Sequence, residues 1–163
     1  MKRTWSVMLF SLLGLITTAS FCFGGFRIPD DAYRMHELEG ALKEAKKDGW
    51  ALTFLITMEE TTCPLAEKAS LIAIRVLEKK TIIVYFNPDN DNFSMLPETV
   101  GKAALSGELG TYIPQAVIVN SDCDRIIDRV PYIHNEEAYL KRLEEADQRI
   151  ANPSWIDRIR DFL

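Results

Sequence analysis

Positive charge is scarce in this chain of 163 residues, which carries 19 Lys and Arg against 24 Asp and Glu for a net charge of −5. No basic stripe compensates. The densest group, Lys43–Lys47, lies among Glu37, Glu39 and Glu44 on a predicted helix and reads as a solvated face. An acidic surface of this kind excludes nucleic acid and anionic lipid as natural partners. Histidine is rarer still: His36 and His134 are far apart and have no Cys or acidic partner at ligand spacing, so the reading includes no metal site and no cofactor. Cysteine is sparse as well. Cys22, Cys63 and Cys123 allow at most one intramolecular disulfide, so this is not a disulfide scaffold and a hydrophobic core must hold it together. Internal repeats and low-complexity tracts are lacking. The length suits one domain, and 47% hydrophobic with 26% charged residues is ordinary for a globular protein.

Charge of either sign is missing from Thr4 to Phe26. Lys2 and Arg3 precede this run, Trp5–Thr17 is apolar, and Thr18-Ala19-Ser20 offers small residues at a cleavage point after Ser20. Residues 1–20 therefore read as a secretory signal peptide. The alternative is an uncleaved anchor to residue 26, because the uncharged run exceeds the roughly 20 residues that span a bilayer. Either way the globular part is exported, to a periplasmic or extracellular location, and the membrane is touched only through that anchor. Removing residues 1–20 takes two cations and no acid, so the remainder is more acidic still.

Residues 21–34, with Gly24, Gly25 and Pro29, are linker-like, and the domain is expected over 35–150. Leu38, Leu42 and Ala45 recur at i, i+4 and i+7, which predicts a helix over Met35–Asp48 stopped by Gly49. Ala51–Thr57 reads as a buried strand. Leu65, Ala69, Ile72 and Val76 predict the buried stripe of a helix over Thr62–Lys79. Thr81–Phe86 (TIIVYF) is a strand covered on both faces, which makes a parallel βαβ unit. Asn87–Asn92 is a solvated turn without the spacing of a calcium loop. A helix over Pro97–Leu105 is followed by a β-hairpin of Gln115–Asn120 and Arg125–Val130, turned at Ser121–Asp124. Asn135 caps a helix that runs to about Ile150, with Tyr139, Leu143, Ala146 and Ile150 inward. Trp155, Ile159 and Phe162 recur at helical spacing, so 151–163 is expected to dock as a C-terminal helix. The aromatics Trp50, Phe54, Tyr85 and Phe86 are expected in the core.

The chain is organised around Ala51–Ala66 (ALTFLITMEETTCPLA), where a strand delivers Cys63 to a helix start with Pro64 next. Orphan N–H groups and the helix dipole favour a thiolate at such a place. Thr61 and Thr62 add hydroxyls, whereas Glu59 and Glu60 put negative charge beside the sulfur. Two readings of Cys63 stand: a reactive thiol, or a small buried residue. Cys123, in Ser-Asp-Cys-Asp, reads as an exposed turn thiol able to pair between chains.

The order α, βαβ, α, ββ, α, with a cysteine after the first strand and Ile113-Pro114 opening the hairpin, resembles the thioredoxin-like family. ALKEAKKDGWALTFLIT, TIIVYFNPD and GTYIPQAVIVNSD carry the resemblance, which spans roughly Leu38–Ile150 and points to an exported subgroup. It implies an α/β fold with a mixed sheet of about four strands and helices on both faces. It also implies a cis proline at Pro114, lying against the cysteine site. The family's Cys-x-x-Cys motif is absent. Either Glu60-Thr61-Thr62-Cys63 fills its place, with Cys63 in the resolving position, or Cys63-Pro64-Leu65-Ala66 does, with Cys63 a lone nucleophile. In both registers the second thiol that expels a mixed disulfide is missing. Cys123 sits in the hairpin turn, at the opposite end of the sheet in this fold. The expected function is a protein- or peptide-binding module related to thiol-disulfide oxidoreductases, using Glu60, Thr61, Thr62, Pro64, Ile113 and Pro114. The alternative is a monothiol redox enzyme with Cys63 as its catalytic residue, engaging its partner through a mixed disulfide.

Overall fold

The computed structural model describes residues 26–152. The signal or anchor segment, residues 21–25 and the docking tail beyond Asn152 lie outside the described residues. Within them, strands β1 (Tyr33–Arg34), β2 (Ala51–Ile56), β3 (Thr81–Phe86), β4 (Gln115–Val119) and β5 (Ile126–Val130) form one sheet in the order β1-β3-β2-β4-β5. The pairs β1–β3 and β2–β3 are parallel, whereas β4 runs antiparallel to both β2 and β5. Helices α1 (Leu38–Asp48), α2 (Pro64–Leu77), α3 (Glu98–Leu105) and α4 (Glu136–Ala151) cover the sheet.

All six residues of β2 and of β3 are buried, as their continuous apolar runs require when both sheet faces are covered. Alternation along β2 separates two cores. Leu52, Phe54 and Ile56 pack with Ala41 and Ala45 of α1 and with Val100 and Ala103 of α3. Leu55 faces the other way, toward Ala73, Ile74 and Leu77 of α2 and toward Tyr139, Leu143 and Ala146 of α4. Each fully buried Leu or Phe contributes about 1.5–3 kcal/mol. Gly49 closes α1 in the left-handed conformation (φ 69°), a position that strains any side chain. The Asn135 side chain accepts the Ala138 N–H and starts α4. Among the described residues, no helix is long and apolar enough to cross a membrane.

Four expectations are corrected. Residues 26–34 are not linker: Phe26 and Ile28 are buried in the α2–α4 core, and Tyr33–Arg34 add a fifth strand at the β3 edge. Their burial comes from tertiary contacts that two apolar residues among Gly, Pro and Asp do not signal. Met35–Glu37 forms a 3₁₀ turn, so the first α-helix begins only at Leu38. In α2 the fully buried face is Ala66, Ala69, Ser70, Ala73, Ile74 and Leu77, while Leu65 is 59% exposed and Ile72 and Val76 are half-buried. Small residues let this helix lie close to the sheet and α4, so size overrides the pattern of large apolar residues. Trp50 is 44% exposed because it precedes the first paired residue of β2.

Candidate functional site around Cys63

The register of β2 against β4 builds the site. Ile56 pairs with Gln115, so the chain leaving β2 toward Cys63 and the Pro114 loop entering β4 share one end of the sheet. The Thr57 N–H donates to the Phe86 carbonyl at 3.1 Å. Its buried hydroxyl meets that of Ser70 at 2.8 Å, and Ser70 Oγ donates to the Ala66 carbonyl at 2.8 Å. These bonds tie the strand end to the first turns of α2 and so fix where the helix begins.

Cys63 is the N-cap residue of α2 (φ −90°, ψ 105°), with Pro64 in the first turn, where a missing N–H costs nothing. The Cys63 carbonyl accepts the Glu67 N–H at 3.1 Å, and the Cys63 N–H donates to Thr61 Oγ1 at 3.2 Å. No side chain caps the helix. Cys63 therefore holds the position of a capping residue without capping, and the orphan N–H groups of Leu65 and Ala66 lie at the same helix end. Cys63 is exposed, which removes the reading of a small buried residue.

The two acids before it are handled differently. Glu59 is held by Arg34 in a two-pronged pair at 2.8 and 2.9 Å, and its Oε1 also accepts the Ile28 N–H at 3.1 Å. These partners pull the Glu59 carboxyl below the usual carboxylate range, the Arg34 bond most strongly. The Glu59 N–H donates to Tyr85 Oη at 2.9 Å, and the Arg34 guanidinium lies 5.6 Å from the centre of the Tyr85 ring. Burial is the main cause of a Tyr85 phenol pushed up to about 12. Glu60 is exposed and takes a left-handed conformation (φ 56°), while its N–H donates to the Phe26 carbonyl at 2.9 Å. The negative charge expected beside the sulfur is thus halved by an arginine 25 residues upstream of its partner.

That pairing has a pH signature. A carboxyl pulled down in the folded state stabilises above its unfolded value of about 4.3 and loses that contribution as pH falls through the folded value. Glu59→Gln is expected to cost about 1 kcal/mol at neutral pH, since Arg34 is more than a third exposed. Urea midpoints of parent and variant should converge below about pH 4; a constant gap would contradict the ion pair.

On the facing loop, the Ile113–Pro114 bond is cis. Pro114 is buried and Ile113 half-buried. Gln115 Nε2 donates to the carbonyls of Gly110 (3.0 Å) and Tyr112 (3.1 Å), which folds the loop over the strand start. Tyr112 is left 62% exposed, with its ring edge-on to His134 at 5.2 Å. Tyr132 lies edge-on to His134 at 5.0 Å and to Tyr139 at 5.8 Å. This aromatic run borders a groove of about 90 Å³ between α2 and the start of α4, which Leu65 also lines. Tyr139 Oη is buried there and has no hydrogen-bond partner among the described residues.

The sequence-predicted residues are therefore all at one end of the sheet: Glu60, Thr61, Thr62, Cys63 and Pro64 on one connection, Ile113 and Pro114 on the other. Sequence reasoning missed Arg34, Tyr112, Leu65 and the Tyr132–His134 pair. Tyr112 and Leu65 could have been suspected as large apolar residues flanking Ile113-Pro114 and Cys63-Pro64. Cys123 is corrected. Its left-handed conformation (φ 58°) turns the sulfur into the α1–α3 core, where it is 7% exposed, and burial pushes the thiol up to about 11. It lies beyond the Leu52–Val119 pair, at the far end of the sheet from Cys63.

Three parallel strands, an antiparallel hairpin entered through the Pro114 loop, and helices on both faces decide the architecture. The fold is thioredoxin-like. No protein-family model matches the sequence, and no curated protein matches it. Solved structures similar to this thioredoxin-like domain include one described as DsbH oxidoreductase, at 15% identity and a TM-score of 0.44, covering 75% of this chain and 90% of that one. Another is a disulphide isomerase from Xylella fastidiosa Temecula1, at 17% identity and a TM-score of 0.42, covering 77% of this chain and 91% of that one.

Proposed function

We propose that this chain is an exported thioredoxin-like protein that exchanges disulfides with a protein or peptide partner through Cys63. The observation that carries this reading is the exposed thiol at the uncapped start of α2, on the same end of the sheet as Pro114. A sulfur in the N-cap position is consistent with the register Cys63-Pro64-Leu65-Ala66, in which Ala66, buried in the first helical turn, replaces the partner cysteine. Cys63 is then the nucleophile, and Pro64, Thr61 and Thr62 shape the turn that presents it. The Ile113–Pro114 loop offers main-chain groups to an extended peptide. Leu65, two residues after Cys63, and Tyr112, two residues before Pro114, expose apolar surface, and the groove that Leu65 lines suits an apolar side chain of the partner.

A second reading, partner binding without thiol chemistry, is favoured by that same apolar surface and needs no reactive sulfur. The two separate on substrate dependence. Tyr112→Ala is expected to slow exchange with a disulfide-bearing peptide rich in apolar side chains about tenfold, the loss of one good contact of roughly 1.4 kcal/mol. It should leave exchange with oxidised glutathione unchanged. If the parent binds the peptide but exchanges with neither disulfide, the non-redox reading replaces this one.

A further inference from the structure

Arg34, the last residue of β1, meets the connection that carries Cys63. We propose that Arg34 is a positioning residue for Cys63: it holds the Glu59 carboxylate on the side of β2 away from the Pro114 loop and so keeps that charge off the sulfur. The inference rests on Cys63 being a working thiol.

Glu59 stands four residues before Cys63, so their Cα atoms are at most about 14 Å apart. A full charge acts over that range at low ionic strength, where the screening length is about 30 Å at 0.01 M. The sheet order β1-β3-β2-β4-β5 puts β1 and β4 on opposite sides of β2. Pro114 immediately precedes β4, whereas Arg34 lies two strands away from β2 in the other direction, about 10 Å. Its Nη1 and Nη2 donate to Glu59 Oε2 and Oε1 at 2.8 and 2.9 Å, and Oε1 also accepts the Ile28 N–H at 3.1 Å. The guanidinium lies 5.6 Å from the centre of the Tyr85 ring, so the carboxylate is gripped on the β3 side of β2. The main chain is held there too, because the Glu59 N–H donates to Tyr85 Oη at 2.9 Å. A two-pronged guanidinium neutralises a carboxylate and fixes its direction together. Arg34 keeps its own charge at every working pH, so the shield does not titrate away from that partner.

The neighbouring charges do not replace it. Arg27 acts on Glu59 from a distance, and Asp91 acts on Tyr85. Glu37 also acts on Arg34, but its carboxylate accepts the Arg34 N–H at 2.9 Å. Around Cys63 itself, Glu60 precedes the sulfur on the same turn and Glu67 follows in α2. Lys68 is paired with Glu136 at 2.5 Å, and His134 lines the same groove as Leu65. A Glu59 released from Arg34 therefore adds a third carboxylate to Glu60 and Glu67, and like charge disfavours the thiolate.

The test is the pH dependence of Cys63 labelling by iodoacetamide, an uncharged probe, in the full chain with Cys22→Ser and Cys123→Ser as background and about 10 mM salt. Arg34→Gln is expected to raise the midpoint by about half a pH unit and to slow labelling about threefold below it. Adding Glu59→Gln should return the midpoint to that of the parent or lower, and about 1 M salt should close the gap between Arg34→Gln and the parent. Glu59→Gln alone keeps the Arg34 charge and should label no more slowly than the parent. Urea midpoints establish that each protein is folded in the assay. An unchanged midpoint in Arg34→Gln would overturn the proposal while leaving Cys63 a thiol of the open site. So would Glu59→Gln, alone or in the double variant, labelling as slowly as Arg34→Gln, because the network would then hold the turn mechanically. A parent that labels only when unfolded would remove the thiol reading of Cys63 as well.

Discussion

Cys63→Ser is expected to abolish disulfide exchange and, in the same protein, to make the fold more stable. The two effects have one cause. Cys63 occupies the N-cap of α2, and no side chain caps that helix. Sulfur is a weak acceptor, whereas a serine oxygen in this place takes an N–H of the first turn. A good cap is worth about 1 kcal/mol. Loss of activity with a small gain in stability marks a residue kept for chemistry rather than for packing. Exchange with oxidised glutathione and urea midpoints, measured on Cys63→Ser in the Cys123→Ser background, check both halves. An unchanged exchange rate would sink the role of the sulfur. A loss of more than about 1 kcal/mol would show instead that the thiol serves the fold.

The largest loss of stability is expected at Arg142, on α4. Asp128 lies in β5 with its side chain 5% exposed. Arg142 grips it with two bonds of 2.9 and 2.6 Å and also donates to the Arg129 carbonyl at 2.6 Å. Among the described residues, Arg142→Ala leaves a buried carboxylate with only Arg149, whose side chain is 58% exposed, and the Arg129 N–H. The expected cost is about 3 kcal/mol, at the lower end for breaking a buried pair because Arg149 stays. Replacing both partners, as Asp128→Leu with Arg142→Met, should recover most of it, since an apolar pair strands no charge. A urea series on the three proteins decides this. A double variant as unstable as Arg142→Ala would mean that the pair fixes the packing of α4 on β5 in a way apolar contacts do not replace.

Much of the architecture was legible because the signals were local. Thr81–Phe86 is a continuous β-branched and aromatic run, and in the structure all of it is buried. Tyr139, Leu143 and Ala146 repeat at helical spacing and all three are buried in α4. The placement of Cys63 between a strand and a helix could likewise be read from sixteen consecutive residues. What could not be read depends on contacts between distant segments. Phe26 and Ile28 are buried only because α2 and the sheet receive them, and nothing in Gly24–Asp31 repeats at a regular period. The Arg34–Glu59 pair joins residues 25 apart, so Glu59 looked like a charge facing the sulfur. Cys123 sits in a polar turn, and only its backbone conformation turns the sulfur inward. The phase of α2 was misread because close packing favours alanine and serine over the larger residues that dominate a hydropathy pattern.

The account stands on Cys63 being an open thiol in the folded protein. The direct measurement is the rate at which a chromogenic aromatic disulfide reacts with the native chain carrying Cys22→Ser and Cys123→Ser, compared with the same chain in denaturant. The prediction is release of one equivalent of chromophore from the native protein, at a rate within about tenfold of the unfolded chain or faster. A native protein that stays silent until it unfolds would contradict it, and the Cys63 end of the sheet would then be a binding surface without thiol chemistry.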